Sequence, residues 1–148
     1  MRNENCTELK TLTAETTINV RFGETDAMGV VWHGNYLKYF EDAREAFGLV
    51  HNMAYLDFYN AGYFTPIVKS EVDYKSPIHY GEKARIIARL LYSPAAKIIF
   101  EYEIFNLNTN RISATGKTIQ IFLNAASREL EINKPDFYKA WEKSAGLL

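Results

Sequence analysis

Apolar and polar residues alternate along much of this chain, and where the alternation stops the period becomes helical. Ile18, Val20 and Phe22 alternate with Asn19 and Arg21, the two-residue period of a strand with one buried face. Gly23 to Gly34, GETDAMGVVWHG, carries three glycines and reads as a loop. From Asn35 onward Tyr36, Phe40, Ala43, Phe47 and Val50 share one helical face, while Lys38, Glu41, Asp42 and Glu45 share the other. This predicts a helix with Asn35 as N-cap, running to about Tyr55 and weakened late by Gly48. Alternation then returns. Thr65–Tyr74, Ala84–Tyr92, Ile98–Phe105 and Thr118–Leu123 read as strands, separated by the turn segments SPIHYGE, YSPAAK and NLNTNR. A last short helix is expected from Pro135 to about Ser144, with proline in its first turn.

Strand, long helix, then four strands with short connections is an α+β order. Short connections make the later strands antiparallel neighbours, and the long apolar stripe of the helix requires the sheet to curve around it. The first fourteen residues, MRNENCTELKTLTA, are polar and mixed in charge and lack the apolar run of a signal peptide, so 1–14 is expected to be a flexible tail and 15–148 one domain.

Composition adds exclusions. In 148 residues, 17 Lys and Arg stand against 18 Asp and Glu, a net charge of −1 that disfavours binding to a nucleic-acid backbone. Hydrophobic residues make up 47%, too many for a disordered chain. Cys6 is the only cysteine, so no intrachain disulfide or cysteine-rich zinc site can form. No apolar run approaches the roughly 18 residues of a membrane span. These points lead us to expect a soluble cytoplasmic protein. The three histidines, His33, His51 and His79, have no neighbouring ligands at metal spacing, and there is no GxGxxG, GxxxxGK[ST] or GxSxG motif. No cofactor or metal is expected.

The stretch with chemical content is FGETDAMGVVWHGNY, Phe22 to Tyr36. Asp26 is a carboxylate on a glycine-flanked loop, and His33 lies seven residues later, just before the helix. A helix start offers unsatisfied N–H groups and positive potential that can hold the oxygen of a polarised carbonyl. A carboxylate opposite could attack the carbonyl carbon or activate water. By pattern alone Asp26 reads more readily as a turn former or N-cap, His33 as a capping or surface residue and Glu24 as a solvated loop acid.

The segment FGETDAMGVVWHGNYLKYFEDARE resembles the signature of the 4-hydroxybenzoyl-CoA thioesterase-like branch of the hotdog-fold superfamily, and the element order matches that fold over about residues 15 to 124. The resemblance implies a curved antiparallel sheet wrapped around a long central helix, and hydrolysis of an acyl-CoA to a carboxylic acid and CoA. It places the catalytic acid, as nucleophile or general base, at Asp26, and the N–H that binds the thioester oxygen at His33, whose imidazole could assist. Similar enzymes often carry tyrosine four residues before the aspartate, where this chain has Phe22. Another hotdog branch uses an acid on the central helix, for which Glu41 and Asp42 are the nearest candidates, although both fall on its polar face. The expected substrate contacts are Phe22, Val31 and Gly34 of the loop and Thr65, Pro66, Ile67, Val68 and Lys69 of the following strand. Lys69, Lys75, Arg85, Arg89, Lys97, Arg111, Lys117 and Arg128 are available for CoA phosphates. The family assembles as dimers or tetramers with sites at the subunit interface, so a homo-oligomer, in the limit a homotetramer, is expected, acting on acyl-CoA or an acyl carried on acyl-carrier protein. Two alternatives stand beside hydrolysis: an acyl-thioester hydratase or dehydratase that pairs His33 with an acid, and an inactive acyl-thioester binding protein.

Overall fold

The computed structural model describes residues 11–147. Five strands form one antiparallel sheet: β1 (Thr11–Asn19), β3 (Ile67–Tyr74), β4 (Lys83–Leu91), β5 (Lys97–Asn106) and β6 (Arg111–Ile121). Their spatial order is β1-β4-β5-β6-β3. A separate two-stranded ribbon joins β2 (Tyr63–Phe64) to β7 (Leu123–Asn124). The described residues also form three α-helices: α1 (Asn35–His51), α2 (Tyr55–Asn60) and α3 (Asp136–Ser144).

The core forms where the helix stripe meets the inward positions of the sheet. Tyr36, Tyr39, Phe40, Ala43 and Phe47 of α1 are buried against Ala84, Ile86, Ala88 and Leu90 of β4 and Ile98, Phe100, Tyr102 and Ile104 of β5. The alternation in the sequence is the alternation in burial along β4 and β5, whose odd and even positions face opposite sides. Phe40 stacks on Tyr102 with ring centroids 4.3 Å apart, and Gly116 of β6 lets the Phe40 ring approach the sheet, since a Cβ there would lie 2.3 Å from it.

Several boundaries differ from the sequence reading. β1 begins at Thr11, so residues 11–14, expected in the tail, pair with Leu91 to Ala88 of β4; residues 1–10 lie outside those described. Phe22, expected on the strand beside Ile18 and Val20, instead opens a 3-10 turn (Phe22–Glu24) and is 77% exposed. Asn35 is the first residue of α1 rather than its cap: Gly34 is the N-cap, and the buried Asn35 amide donates to Glu24 O at 2.8 Å. The helix ends at His51, not near Tyr55, because Asn52 takes the left-handed conformation (φ 59°) and closes it on Gly48 O. Val50 therefore sits in the last turn and is exposed. β6 starts at Arg111, seven residues before the expected strand.

Edges decide what the sheet can do next. Among the described residues β1 bonds only to β4, and β3 bonds only to β6. All of β3 except Val72 is exposed, so its outer edge meets no strand among the described residues.

Candidate active site

The loop between β1 and α1 is held as a small antiparallel hairpin. Thr25 bridges Val31, Asp26 N–H donates to Val30 O at 2.8 Å, and Trp32 N–H donates to Glu24 O at 2.9 Å. Gly29, with φ 77°, makes the turn that an L side chain would strain. The hairpin is anchored below by Val31 N–H to Ile78 O, by a bridge from Val30 to His79, and by Tyr80 N–H to Gly29 O. Asp26 stands near the closed end, half-buried, and His33 at the open end where α1 begins.

Asp26 has a divided carboxylate. Oδ1 accepts the Met28 N–H at 2.8 Å, whereas Oδ2 meets no donor among the described residues. One oxygen is held in place and the other carries no bond among the described residues. At the helix start, Asn35 N–H and Tyr36 N–H are engaged by Trp32 O and His33 O, but the N–H groups of His33 and Gly34 meet no acceptor among the described residues. These are two open donors at the positive end of α1. The His33 ring is exposed and packs on Trp32, centroids 4.9 Å apart. Gly34 lies beneath the Trp32 ring, where a Cβ would be 2.1 Å from it.

Three residues hold this site and were not recognised from sequence. Glu24 was read as a solvated acid. Its carbonyl accepts both Trp32 N–H and the Asn35 amide, and its carboxylate accepts Arg21 N–H at 2.8 Å. Tyr74, at the end of β3, donates its hydroxyl to His33 O at 3.0 Å and packs edge-on against Tyr36. Glu82 accepts from His79 N–H at 2.6 Å and lies 3.1 Å from the same residue's Nδ1, fixing the segment on which the hairpin rests. Burial pushes the Glu82 carboxyl up, but the backbone and side-chain bonds from His79 hold it below the usual carboxylate value. The only sequence signal for these residues was a polar or aromatic side chain at a turn or strand end. Burial, followed by the nearby Glu24 charge, raises the Tyr39 phenol and keeps it neutral.

The other expected site residues are dispersed. Phe22 meets Tyr80 edge-on at 5.9 Å on the outside of the loop. Val31 is buried in the core and contributes its backbone to the hairpin. Thr65 borders a cavity under the second half of α1, while Pro66 just before β3 and Ile67, Val68 and Lys69 on it are exposed. Lys69 is engaged by Glu71 at 2.9 Å. Arg85 and Arg89 lie 3.9 Å from Glu15 and Glu101 on the outer face of the sheet. Of the helix acids, Glu41 borders the same cavity and lies 4.0 Å from Arg44, and Asp42 is exposed. The Asp42 carboxyl is raised, first by desolvation and then by Glu45 and Glu24.

Comparison with known proteins assigns this architecture. The family model described as the thioesterase-like superfamily matches residues 20–141. The chain belongs to that superfamily and is a thioester hydrolase on the hotdog fold. It is 32% identical over 130 residues to the putative acyl-CoA thioesterase YneP of Bacillus subtilis, covering 86% of this chain and 94% of that one. It is 28% identical to a 1,4-dihydroxy-2-naphthoyl-CoA hydrolase of Thermosynechococcus vestitus, covering 85% and 86%. Among solved structures, a DHNA-CoA thioesterase from Staphylococcus aureus superposes with a TM-score of 0.78 at 32% identity, covering 91% of this chain and 92% of that one. A 4-hydroxybenzoyl-CoA thioesterase variant bound to 4-hydroxybenzoyl-CoA matches in fold alone, with a TM-score of 0.75 at 15% identity over 87% of this chain and 97% of that one. No helix among the described residues is long and apolar enough to cross a membrane.

Proposed function

We propose that the protein hydrolyses an acyl-CoA thioester, with Asp26 as nucleophile or general base and the His33 and Gly34 N–H groups as the oxyanion site. The observation that carries this reading is the divided carboxylate: Oδ1 is held by Met28 N–H and Oδ2 is free, on the loop that ends at two open donors. In the nucleophilic course, Oδ2 adds to the carbonyl carbon, CoA thiolate leaves, and water splits the resulting anhydride. In the general-base course, Oδ2 takes a proton from water as the water oxygen bonds to that carbon, the C–S bond then breaks, and the departing CoA thiolate takes the proton from Asp26. Either way water and acyl-CoA give a carboxylic acid and free CoA thiol. The carbonyl oxygen gains negative charge as the bond forms, and the two N–H groups meet that charge more strongly than they meet the ground-state carbonyl. The names of the relatives support a CoA thioester over other thioesters.

The active form in this reading is a homo-oligomer in which a second copy completes the site. It is supported by the uncovered β3 edge and by the exposed apolar side chains gathered around the loop, Phe22, Met28, Trp32, Tyr74 and Tyr80.

The decisive measurement is thiol release by Asp26→Asn, which keeps the side chain's size and removes its charge. Turnover should drop about 10²–10⁴-fold. Near-normal hydrolysis of several acyl-CoAs by this variant would refute the assignment. His33→Ala should retain most activity if its N–H acts alone, and a loss comparable to that of Asp26→Asn would assign chemistry to the ring.

A further inference from the structure

A cavity of about 490 Å³ lies away from the loop, between the second half of α1, α2, α3 and one end of the sheet. Its wall is largely apolar, with Phe47, Leu90, Ile98, Phe100, Tyr138 and Trp141 forming the deep part. Its size and lining are those of a ligand pocket. Its open side runs from the exposed Glu41 and Glu45 to Leu49, Tyr55 and Leu56, the last three 72%, 66% and 63% exposed.

Several polar groups in the wall already have partners. Gln120 donates its amide to Thr65 O at 2.8 Å, and Trp141 donates its indole N–H to His51 O at 2.7 Å. Arg44 donates to the Tyr102 hydroxyl at 3.3 Å and lies 4.0 Å from Glu41. With Glu45 also on the wall, two carboxylates and one guanidinium line the cavity. An anionic ligand end would meet more negative than positive charge there, while the apolar deep part fits an uncharged hydrocarbon.

Position along α1 sets the length of that hydrocarbon. Glu41 is six residues from Asn35, about 9 Å along the axis, and Leu49 is fourteen residues away, about 21 Å. An extended chain advances about 1.2 Å per bond, from roughly 3.6 Å per three-bond residue. About eight carbons from a thioester at the helix start would reach the cavity, and roughly ten more would run its length. A ring joined directly to the carbonyl would stop short.

We propose that this cavity receives the far end of an unbranched aliphatic acyl chain, so that the enzyme prefers medium and long chains over short or aromatic acyl groups. The proposal rests on the thioesterase reading above and adds the acyl class and its receptor. The test is kcat/KM for straight-chain acyl-CoAs from butanoyl to hexadecanoyl, with benzoyl-CoA alongside. The value should climb beyond about eight carbons, by up to about fourfold per methylene. Ile98→Phe and Ala54→Phe, both at the cavity wall, should each cut the hexadecanoyl-to-butanoyl ratio at least tenfold. A flat profile, a preference for benzoyl-CoA, or ratios unchanged in both variants overturns the proposal. A binding measurement stands apart from turnover and from the folding of those variants. The chain has two tryptophans, so Trp32→Phe leaves Trp141 as sole reporter in the cavity wall. Hexadecanoate should shift its emission with saturation, and butanoate should not. If the protein hydrolyses no acyl-CoA while hexadecanoate still shifts Trp141, the catalytic reading fails and the cavity assignment stands. If acyl-CoAs are hydrolysed without chain-length dependence and Trp141 does not respond, the cavity assignment fails alone.

Discussion

Replacing Gly34 by alanine sets two effects against each other. The backbone at Gly34 is right-handed helical, φ −67° and ψ −21°, which alanine adopts without strain. Lower entropy of the unfolded chain alone would then stabilise the variant by about 0.4–1 kcal/mol. The new Cβ, however, would lie 2.1, 2.4 and 2.7 Å from three atoms of the Trp32 ring, far inside contact distance. Trp32 is 49% exposed, so its ring has room to swing into solvent. That movement removes its packing on His33, worth about 0.5–1.5 kcal/mol for an aromatic pair. The two contributions nearly cancel, and the melting temperature should move by less than about 4 °C. Activity should not be spared. Trp32 and His33 are consecutive, and turning the ring out shifts the open N–H groups at the start of α1. Misplacing such donors by about 1 Å costs on the order of 10²-fold in turnover. Thiol release and a thermal melt on the same preparation measure both quantities. Retained turnover with an unchanged melt would show that the His33 and Gly34 N–H groups do not hold the oxyanion. A fall of more than about 10 °C would show that Trp32 cannot move and that the loop is packed more tightly than its exposure indicates.

Other outcomes follow from the packing and the ion pairs. Gly116→Ala places a Cβ 2.3 Å from the buried Phe40 ring and 2.8 Å from Glu71 O, so it should cost about 1–3 kcal/mol and lower the melting temperature by roughly 2–12 °C. The Lys134 ammonium is buried against both Glu142 oxygens at 3.0 and 2.8 Å, so Lys134→Met should cost about 3–5 kcal/mol by urea denaturation, with much of that recovered in the Lys134→Met, Glu142→Leu double variant. Tyr74→Phe removes the bond to His33 O and should lower kcat by more than its effect on the melt accounts for, about 0.5–1.5 kcal/mol. Because the Glu82 carboxyl is held below its usual 4.5, its contribution is complete above that pH and is lost as acid protonates it. Glu82→Gln should therefore flatten the acid limb of a stability–pH curve below about pH 4.5, and an unchanged limb would exclude the His79 clamp as its source.

The strands β4 and β5 and the stripe of α1 were legible because their inward positions are large and apolar and recur at a single period. Legibility failed where the fold uses small or polar residues inward. β1 turns Ala14 and Thr16 toward the helix side, which hid its first half. The start of β6, RISATGK, hides its strand character because Gly116 faces Phe40 and Ser113 and Ala114 are the buried positions. Gly48 reads as a weak point in a helix, but Ala54 and Met53 pack directly over it, and a Cβ would lie 2.9 Å from both. The site was half legible. Asp26 and the helix start stand in one continuous segment. Glu24, Tyr74 and Glu82 act through partners 11, 41 and 3 residues away, through bonds that no periodicity records.

Tyr74 joins two parts of the molecule that are usually considered separately. It is the last residue of the uncovered edge strand, and its hydroxyl holds the carbonyl of His33 at the mouth of the site. A second copy that pairs along β3 would stiffen that strand and, through one phenol, the donors that meet the oxyanion. Turnover per molecule then becomes a function of protein concentration. On dilution the enzyme should lose specific activity before it loses structure, and regain it on concentration, with a midpoint that reports the strength of the assembly.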